Sequence, residues 1–365
     1  MEEFKECFCD LEDPRAANAW HDLHEVLMIA LCASLCGAET CVDMAEFAAR
    51  KEGVLRRFLG LRHGPPSHDT FSRVFRALDA EQFGACFQVF LDRFFEVQRG
   101  VVAIDGKTLR RSFDRASGGS PLHMVSAWGC EQGLVLGQVA ADAKSNEITA
   151  VPRLLEMLSL KGVVITADAM NCQRDIARRI IEGGGDYALA LKGNQGTLYD
   201  DVRTFLDDPN AETDSHVHVD GGHGRIEARQ AWVGSDIAWL RETHSWPGLA
   251  AVAKVSSVRE IDGKATKQDR YYLLSKAFPA PEAAKIIRSH WGIENGLHWS
   301  LDVVMNEDQS RTRKGNGPKN LAILRHMALN IIRRDQSKGS NRIKFKRAAW
   351  DDDFLISLLA PDQMR

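Results

Sequence analysis

Two short apolar runs, each ending on an aspartate, constrain this chain more than any other feature. Residues 101–105 read VVAID and residues 163–168 read VVITAD, so both have the length and β-branched composition of a buried strand. In open α/β sheets, ligands collect at the carboxyl ends of the strands. If the two strands are neighbours, the side chains of Asp105 and Asp168 should lie about 5 Å apart. Two carboxylates that close require a cation between them or a retained proton.

The segments around these two runs alternate in the order β-β-β-α-β-α-β. Residues 123–130 and 133–141 have the pattern of a hairpin, residues 145–160 and 172–184 have helical spacing, and residues 186–192 form a last strand. This is the order of an RNase H-like core, a mixed sheet flanked by helices. We therefore predict an α/β fold with an RNase H-like mixed-sheet catalytic core.

The remaining segments predict further parts around this core. Residues 1–98 read as an N-terminal helical domain with a DNA-binding or accessory role. The core itself is predicted to span residues 99–193 and 279–335, the second part carrying a catalytic helix. Between them, residues 194–278 lose helical periodicity and predict a β-rich insertion. Residues 336–365 are predicted to form a basic, helical C-terminal tail.

A third carboxylate is expected from the segment RSHWGIENGLHW. Trp291, Glu294 and His298 fall on one face of a helix by their three- and four-residue spacing. A solitary charge on such an aromatic surface is costly, so Glu294 should have a compensating partner. Asp302 lies further along the same face and could support it. Each carboxylate alone has a simpler explanation, because strand-end aspartates often form turns or caps and Glu294 could pair with a neighbouring base.

Taken together, the three carboxylates favour a site for hard divalent cations. Oxygen ligands of this kind suit magnesium, with manganese as a substitute. Two such ions can activate the attacking oxygen and stabilise the leaving oxygen of an in-line phosphoryl displacement. Asp105, Asp168 and Glu294 are therefore predicted to be both the catalytic residues and the metal ligands.

The charge distribution agrees with a polyanionic partner. The net charge is only −3, but residues 311–347 contain twelve Lys or Arg residues and a single acid, Asp335. Such a block favours contact with nucleic acid, although solvated surfaces produce similar runs. The eight cysteines are scattered through apolar segments, which favours buried thiols over a structural zinc site. The acidic start and the lack of a long apolar stretch predict a cytoplasmic protein without membrane contact.

Longer motifs carry a resemblance to a known family. The stretches AIDGKTLRRS, KSNEITAVPRLLEML, VVITADAMNCQ, YALALKGNQGTLYDDV, GHGRIEARQ and HWGIENGLHWSLDVVMNEDQSRTRKGNGPKN occur in this order across about residues 100–335. In these motifs the chain resembles the ISAs-one family of bacterial insertion-sequence transposases, also called H-repeat-associated proteins. PPSHDTFSRVF resembles the family's N-terminal helical domain. The resemblance implies an RNase H-like fold with a DDE triad, which maps by motif onto Asp105, Asp168 and Glu294.

Further residues are predicted to support the triad or to contact DNA. Lys107 follows the first aspartate and could reach a phosphate, while the turn after the strand over 186–192 offers backbone contacts. Asn171 and Gln173 could orient Asp168, but capping of the next helix is favoured. The full set of supporting or DNA-binding residues is Lys107, Lys192, Asn194, Gln195, His290, Trp291, Asn295, His298, Asp302, Arg311, Arg313 and Lys314.

The resulting hypothesis is a DDE transposase that nicks DNA at transposon ends and joins the exposed 3′-hydroxyl to target DNA. Its partners would be the terminal inverted repeats and the target, bound by a homodimer, with no nucleotide cofactor. Two alternatives stay open at this point. The chain could be a nuclease that cuts without joining, or a domesticated DNA-binding protein whose triad is inert.

Overall fold

A computed structural model describes residues 2–16, 19–95, 100–113, 120–141, 147–222, 225–261 and 264–359. Its N-terminal part is helical, as predicted. The helices are α1 (Glu2–Cys7), α2 (Leu23–Leu35), α3 (Cys41–Arg50), α4 (Glu52–Leu55), α5 (His68–Ala77) and α6 (Ala80–Phe94). Ser67 caps α5 by accepting from the backbone N–H of Thr70. α3 and α4 are separated at Lys51.

A mixed sheet follows the helical part. Its strands are β1 (Gly100–Leu109), β2 (Leu122–Gly129), β3 (Leu134–Ala141), β4 (Val163–Ala167), β5 (Asp186–Leu191), β6 (Asp214–Gly222), β7 (Arg225–Gly234), β8 (Ala251–Ile261) and β9 (Lys264–Leu274). They are ordered β3-β2-β1-β4-β5-β9-β8-β7-β6. β1, β4 and β5 run parallel, whereas β2 and β3 are antiparallel to their neighbours. α7 (Glu147–Glu156) lies between β3 and β4 and α8 (Arg174–Glu182) connects the parallel strands β4 and β5, which confirms the RNase H-like order.

The segment after β5 extends this sheet, because β9 pairs antiparallel with β5 and β8, β7 and β6 follow outwards. Two helices in it, α9 (Thr197–Asp207) and α10 (Ala238–His244), were not predicted. The apolar stripe of α9 consists of only three buried residues in a strongly acidic sequence: Leu198, Val202 and Leu206. β6, which contains His216, is an edge strand held by its ladder to β7 rather than by an apolar face.

The chain ends in a helical layer. α11 (Ala280–Ser289) continues into π-helical turns at Ile293–His298 and Ser300–Val304, and α12 (Gly317–Arg334), α13 (Asn341–Trp350) and α14 (Asp352–Leu358) follow. α12 is not a peripheral tail helix but is buried between the N-terminal helices and β3. The Asn330 side chain both donates to the carbonyl and accepts from the N–H of Val135, which satisfies the backbone of this edge strand.

Several of the basic residues form ion pairs with carboxylates of the protein itself. In the C-terminal block, Arg325 is buried with its guanidinium 3.6 Å from Glu307, and the Lys344 ammonium lies 3.3 Å from Asp335. Four bases at or just beyond the ends of α3 and α4 pair with carboxylates of these helices or of α14; these bases are Arg50, Lys51, Arg56 and Arg57. The charges of these six residues are therefore paired within the protein.

Two smaller expectations concern thiols and membranes. All eight cysteines are free thiols, and Cys32 and Cys172 are fully buried, as core packing requires. None of the helices in the described ranges combines the length and the apolar character that a bilayer span demands.

Candidate active site

The register between β1 and β4 brings Asp105 and Asp168 side by side. Ile104 pairs with Ala167 in the last step of the parallel ladder, so Asp105 and Asp168 occupy the next position. Asp168 follows the end of β4 as predicted, but Asp105 does not end its strand, because β1 continues to Leu109 in its ladder with β2. Alternate residues of a strand share a face, so Asp105 lies on the face of Val101. Val101 belongs to the apolar cluster that contains Ile286 of α11. Asp105 therefore faces the layer of the helix that carries Glu294.

Glu294 lies in a π-helical turn rather than in a regular α-helix. The backbone N–H of Trp299 donates to the carbonyl of Glu294, five residues earlier. Gly296 lets this turn approach the sheet, since a Cβ there would lie 2.9 Å from the ring of Trp128 on β2. Arg333 of α12 stacks 4.7 Å from the same ring and donates to the Gly296 carbonyl at 2.7 Å. The position of Glu294 is thus fixed from both the sheet and α12.

The electrostatics of Asp105 link the three predicted triad carboxylates. Burial raises the pKa of Asp105 to about 7, and the negative charges of Glu147, Asp168 and Glu294 act in the same direction. The backbone N–H of Gly106 opposes this increase only in part. Asp168 and Glu294 are thus both near enough to Asp105 for their charges to affect its proton affinity.

A divalent cation suits this cluster. His298 lies beside Asp105, with its Nδ1 3.7 Å from Asp105 Oδ2. Burial, together with the charge of Lys107, lowers the pKa of His298 to about 4, so the ring is neutral near pH 7 and does not balance the carboxylates. Within the described ranges, no group of three or more acidic, His or Cys side chains is arranged so that it could hold a metal ion. The donor set is nevertheless all oxygen and negatively charged, as hard cations require.

Glu147, the first residue of α7, is a fourth carboxylate that sequence reasoning missed. It is only 7% exposed, accepts from Asn171 Nδ2 at 2.9 Å, and lies 2.7 Å from His123 Nε2. Burial acts to raise the pKa of Glu147, but the bonds to His123 and Asn171 outweigh it and the pKa is lowered. The available signal was an acid at the start of the apolar face of α7, which continues with Ala150 and Leu154.

Asn171 orients Asp168, and the favoured helix-capping role is wrong. Its Nδ2 and its backbone N–H both donate to Asp168 Oδ1, at 3.0 and 3.1 Å. Gln173 occupies the N-cap position of α8 without a side-chain capping bond and donates to the Met170 carbonyl instead. The hydrogen bonds of Asn171 in the short loop after β4 therefore orient Asp168 instead of capping α8.

Lys107 has a different environment from that of a phosphate contact. Its ammonium is buried and lies 2.8 Å from Asp302, 3.1 Å from Glu307 and 3.3 Å from Asp308. Burial acts to lower the pKa of Lys107, but the neighbouring carboxylates, Glu307 first, raise it. Asp302, expected to support Glu294, binds Lys107. This cluster joins β1 to the end of the helix that carries Glu294.

The residues around Glu294 divide into buried and exposed positions. His290 is held at 3.0 Å from the Thr166 hydroxyl of β4, and burial lowers its pKa. Asn295 is exposed, as is Trp291, whose ring lies 5.0 Å from the Arg270 guanidinium. Trp299 is 55% exposed and does not pack in the core. An aromatic surface therefore accompanies Glu294.

The turn after β5 lies against the loop that carries Asp168. Asn194 Nδ2 donates to the Ala169 carbonyl at 2.8 Å and Gln195 Nε2 donates to the Cys172 carbonyl at 2.6 Å. Lys192 is exposed at the end of β5. The side-chain amides of Asn194 and Gln195 therefore hold the Asp168 loop in place. Lys192 faces solvent at the carboxyl end of β5.

Arg311, Arg313 and Lys314 are exposed in the loop before α12. Arg313 Nε donates to the Arg111 carbonyl at 3.1 Å, which ties this loop to the end of β1. The loop therefore places basic side chains beside the strand that carries Asp105.

An RNase H-like sheet that brings Asp105 of β1 beside Asp168 at the carboxyl end of β4 is typical of a class of protein, the enzymes that break and form phosphodiester bonds with divalent cations. Residues 96–331 match the family model described as Transposase DDE domain, and residues 5–91 match the model described as DDE_Tnp_1-associated. The chain therefore belongs to the DDE transposase family and is an enzyme of DNA transposition. Membership also implies dependence on a divalent metal.

Individual relatives agree with this family. The chain is 39% identical to the "H repeat-associated putative transposase YhhI" of Escherichia coli (strain K12), over 93% of each chain. It is 38% identical to the "Putative transposase YncI" of Escherichia coli O157:H7, over 93% of this chain and 90% of the relative. A cryo-EM structure of the piggyBac transposase synaptic complex with hairpin DNA is similar at a TM-score of 0.47 and 11% identity, over 97% of this chain and 77% of that chain.

Proposed function

We propose that Asp105, Asp168 and Glu294 form the catalytic triad of this transposase and hold two magnesium ions, which manganese can replace. The observation that carries the proposal is the register of β1 and β4, which places Asp105 beside Asp168, with Asp105 on the face of the sheet that α11 covers. The raised pKa of Asp105, caused by burial and by the charges of Glu147, Asp168 and Glu294, agrees with this arrangement. When bound, two such ions supply activation of the attacking oxygen and stabilisation of the leaving oxygen.

The protein's own contribution is to orient ligands and to admit DNA. Asn171 fixes one oxygen of Asp168 through two hydrogen bonds, so that the carboxylate keeps one orientation. His298 lies beside Asp105 as a neutral ring, and Glu294 is exposed where a DNA strand can reach it. Trp291 and Trp299 offer exposed rings near Glu294 that suit stacking on an unpaired base.

The substrates we infer are the terminal inverted repeats of the element and a target DNA. A homodimer would hold two ends together, and the chemistry needs no nucleotide cofactor, since the ions and the DNA hydroxyl supply activation and nucleophile. The exposed bases of the loop before α12, with Lys192 and Asn295, are the proposed DNA contacts near the triad. The N-terminal helices and the exposed bases beyond α12 would bind the DNA flanks.

Cleavage and joining can be tested with DNA that carries the inverted repeats flanking the gene. With magnesium or manganese we expect nicks at the repeat ends, and with a pre-nicked end we expect joining of its 3′-hydroxyl to a target plasmid. Both products should be absent in the presence of EDTA. Nicking without joining would leave a nuclease, and binding of the ends without either product would leave a DNA-binding protein with an inert triad.

The loop before α12 gives a second prediction. If Arg311 and Lys314 neutralise phosphates, their double replacement by alanine should reduce the slope of log K against log salt concentration by roughly 2. The measurement is binding of a repeat-end duplex over a range of salt concentrations. The matched control is the double variant Lys161→Ala with Arg178→Ala, because both residues are exposed bases. Lys161 precedes β4 and so lies at the opposite end of this strand from Asp168. An equal change of slope in the control would contradict a specific role for the loop.

A further inference from the structure

Glu147 lies behind the site, on the opposite face of β1 from Asp105. The evidence is Gly106, where a Cβ would lie 2.2 Å from Glu147 Oε1 and 2.3 Å from His123 Nε2. Because neighbouring residues of a strand point to opposite faces, these two groups cover the back of the strand that presents Asp105. Glycine at position 106 provides the space that the pair occupies.

The Glu147 carboxylate is held on both of its oxygens. Oε1 lies 2.7 Å from His123 Nε2, and the other nitrogen of that ring lies 2.8 Å from the Thr108 hydroxyl of β1. Oε2 accepts from Asn171 Nδ2 at 2.9 Å. The carboxylate is therefore fixed to the strand of Asp105 on one side and to the loop of Asp168 on the other.

Asn171 connects the Glu147 carboxylate to Asp168 through hydrogen bonds. It is fully buried, and its Nδ2 donates to Glu147 Oε2 and to Asp168 Oδ1. The reverse amide orientation would place Asn171 Oδ1 against two carboxylates, which is repulsive. The nitrogen faces them even though Oδ1 is buried without a hydrogen-bond partner in the described part of the chain. Glu147 and Asp168 therefore both favour the orientation in which the amide nitrogen of Asn171 meets Asp168, and Glu147 holds the amide on its other side.

We propose that Glu147 is a positioning residue of the transposition reaction, which acts through Asn171 to hold Asp168 ready for a metal ion. The inference rests on the proposed function, in which Asp168 is a metal ligand. Residues that orient metal ligands typically contribute 10- to 100-fold in metal affinity or activity, as a rough guide. Glu147 does not contact substrate in this proposal, and its effect is carried by the hydrogen bonds through Asn171.

The test measures Mn²⁺ binding to the full-length protein without DNA, from the electron paramagnetic resonance signal of free Mn²⁺. Glu147→Ala is expected to weaken binding about 10- to 100-fold. Asn171→Ala should cause the same loss, and the double variant should be no worse than either single one, because both residues act in one chain of contacts. Glu147→Gln should stay within about fivefold of the wild type, because its amide oxygen can still accept from Asn171.

The control is Asp335→Asn, which alters another buried, hydrogen-bonded carboxylate at the end of α12. It should leave Mn²⁺ affinity unchanged even if it lowers the melting temperature. Wild-type affinity in folded Glu147→Ala, or an equal loss in Asp335→Asn, would overturn the proposal. If Glu147→Ala does not fold, Asn171→Ala decides by the same criteria. Wild-type affinity in Asp168→Ala would instead show that the proposed metal site itself is wrong.

Discussion

Asp105→Asn is expected to lower the rate of strand cleavage by at least about a thousandfold, or about 4 kcal/mol of transition-state stabilisation. The amide keeps the shape of the carboxyl group but removes the negative charge that a divalent cation requires. The measurement is the initial rate of nicking at a repeat end with saturating magnesium. Asp200→Asn, at an exposed position of α9, is the matched control and should cleave at the wild-type rate.

The same substitution should not weaken the fold. Asp105 is largely buried beside Glu147, Asp168 and Glu294, whose charges disfavour its ionised form. Removing a like charge from this cluster should leave the free energy of unfolding of the metal-free protein unchanged or slightly increased. A loss of activity that parallels a loss of stability would contradict a catalytic role, because it would mean that the variant is inactive through unfolding.

The sequence predicted the centre of this fold because buried parallel strands leave a strong local signal. The apolar runs over 101–105 and 163–168 became the paired strands β1 and β4, and their final aspartates became neighbours. Segments with a weaker apolar pattern were missed. α9 shows only a narrow stripe, and β6 is a polar edge strand held by its ladder, which a single sequence does not reveal.

The site residues could be predicted where their type and their position in a strand indicate their role. They could not be predicted where the role depends on contacts with residues far away in the chain. Regular helical spacing placed Glu294 on an aromatic face, but the sequence did not reveal that this segment forms π-helical turns or that Gly296 allows them to approach Trp128 of the sheet. Lys107 resembled a phosphate ligand because the carboxylates that neutralise it lie about 200 residues later in the chain. Burial of Glu147 likewise depends on Gly106 and on a histidine from the next strand.

Lys107→Met should destabilise the protein by about 3–5 kcal/mol, the usual cost of breaking a buried ion pair on one side. The ammonium is 9% exposed and serves three carboxylates, of which Glu307 is almost fully buried. Methionine keeps the aliphatic part of the side chain but removes its positive charge. Among the described ion pairs, the Glu307 carboxylate would then keep only the Arg325 guanidinium, 3.6 Å away. The measurement is the free energy of unfolding from urea titration, with exposed Lys161→Met as a control that should stay within about 0.5 kcal/mol of the wild type.

A second substitution separates the two roles that Lys107 could have. If the loss arises from uncompensated negative charge, adding Glu307→Gln to Lys107→Met should recover a large part of the stability. Because the cluster joins β1 to the end of the Glu294 helix, the single variant should also lose cleavage activity more steeply with temperature than the wild type. If Lys107 instead contacted a DNA phosphate, Lys107→Met would unfold like the wild type and bind repeat-end DNA more weakly, with a reduced salt dependence. That result would exclude the carboxylate cluster as the reason for a lysine at this position.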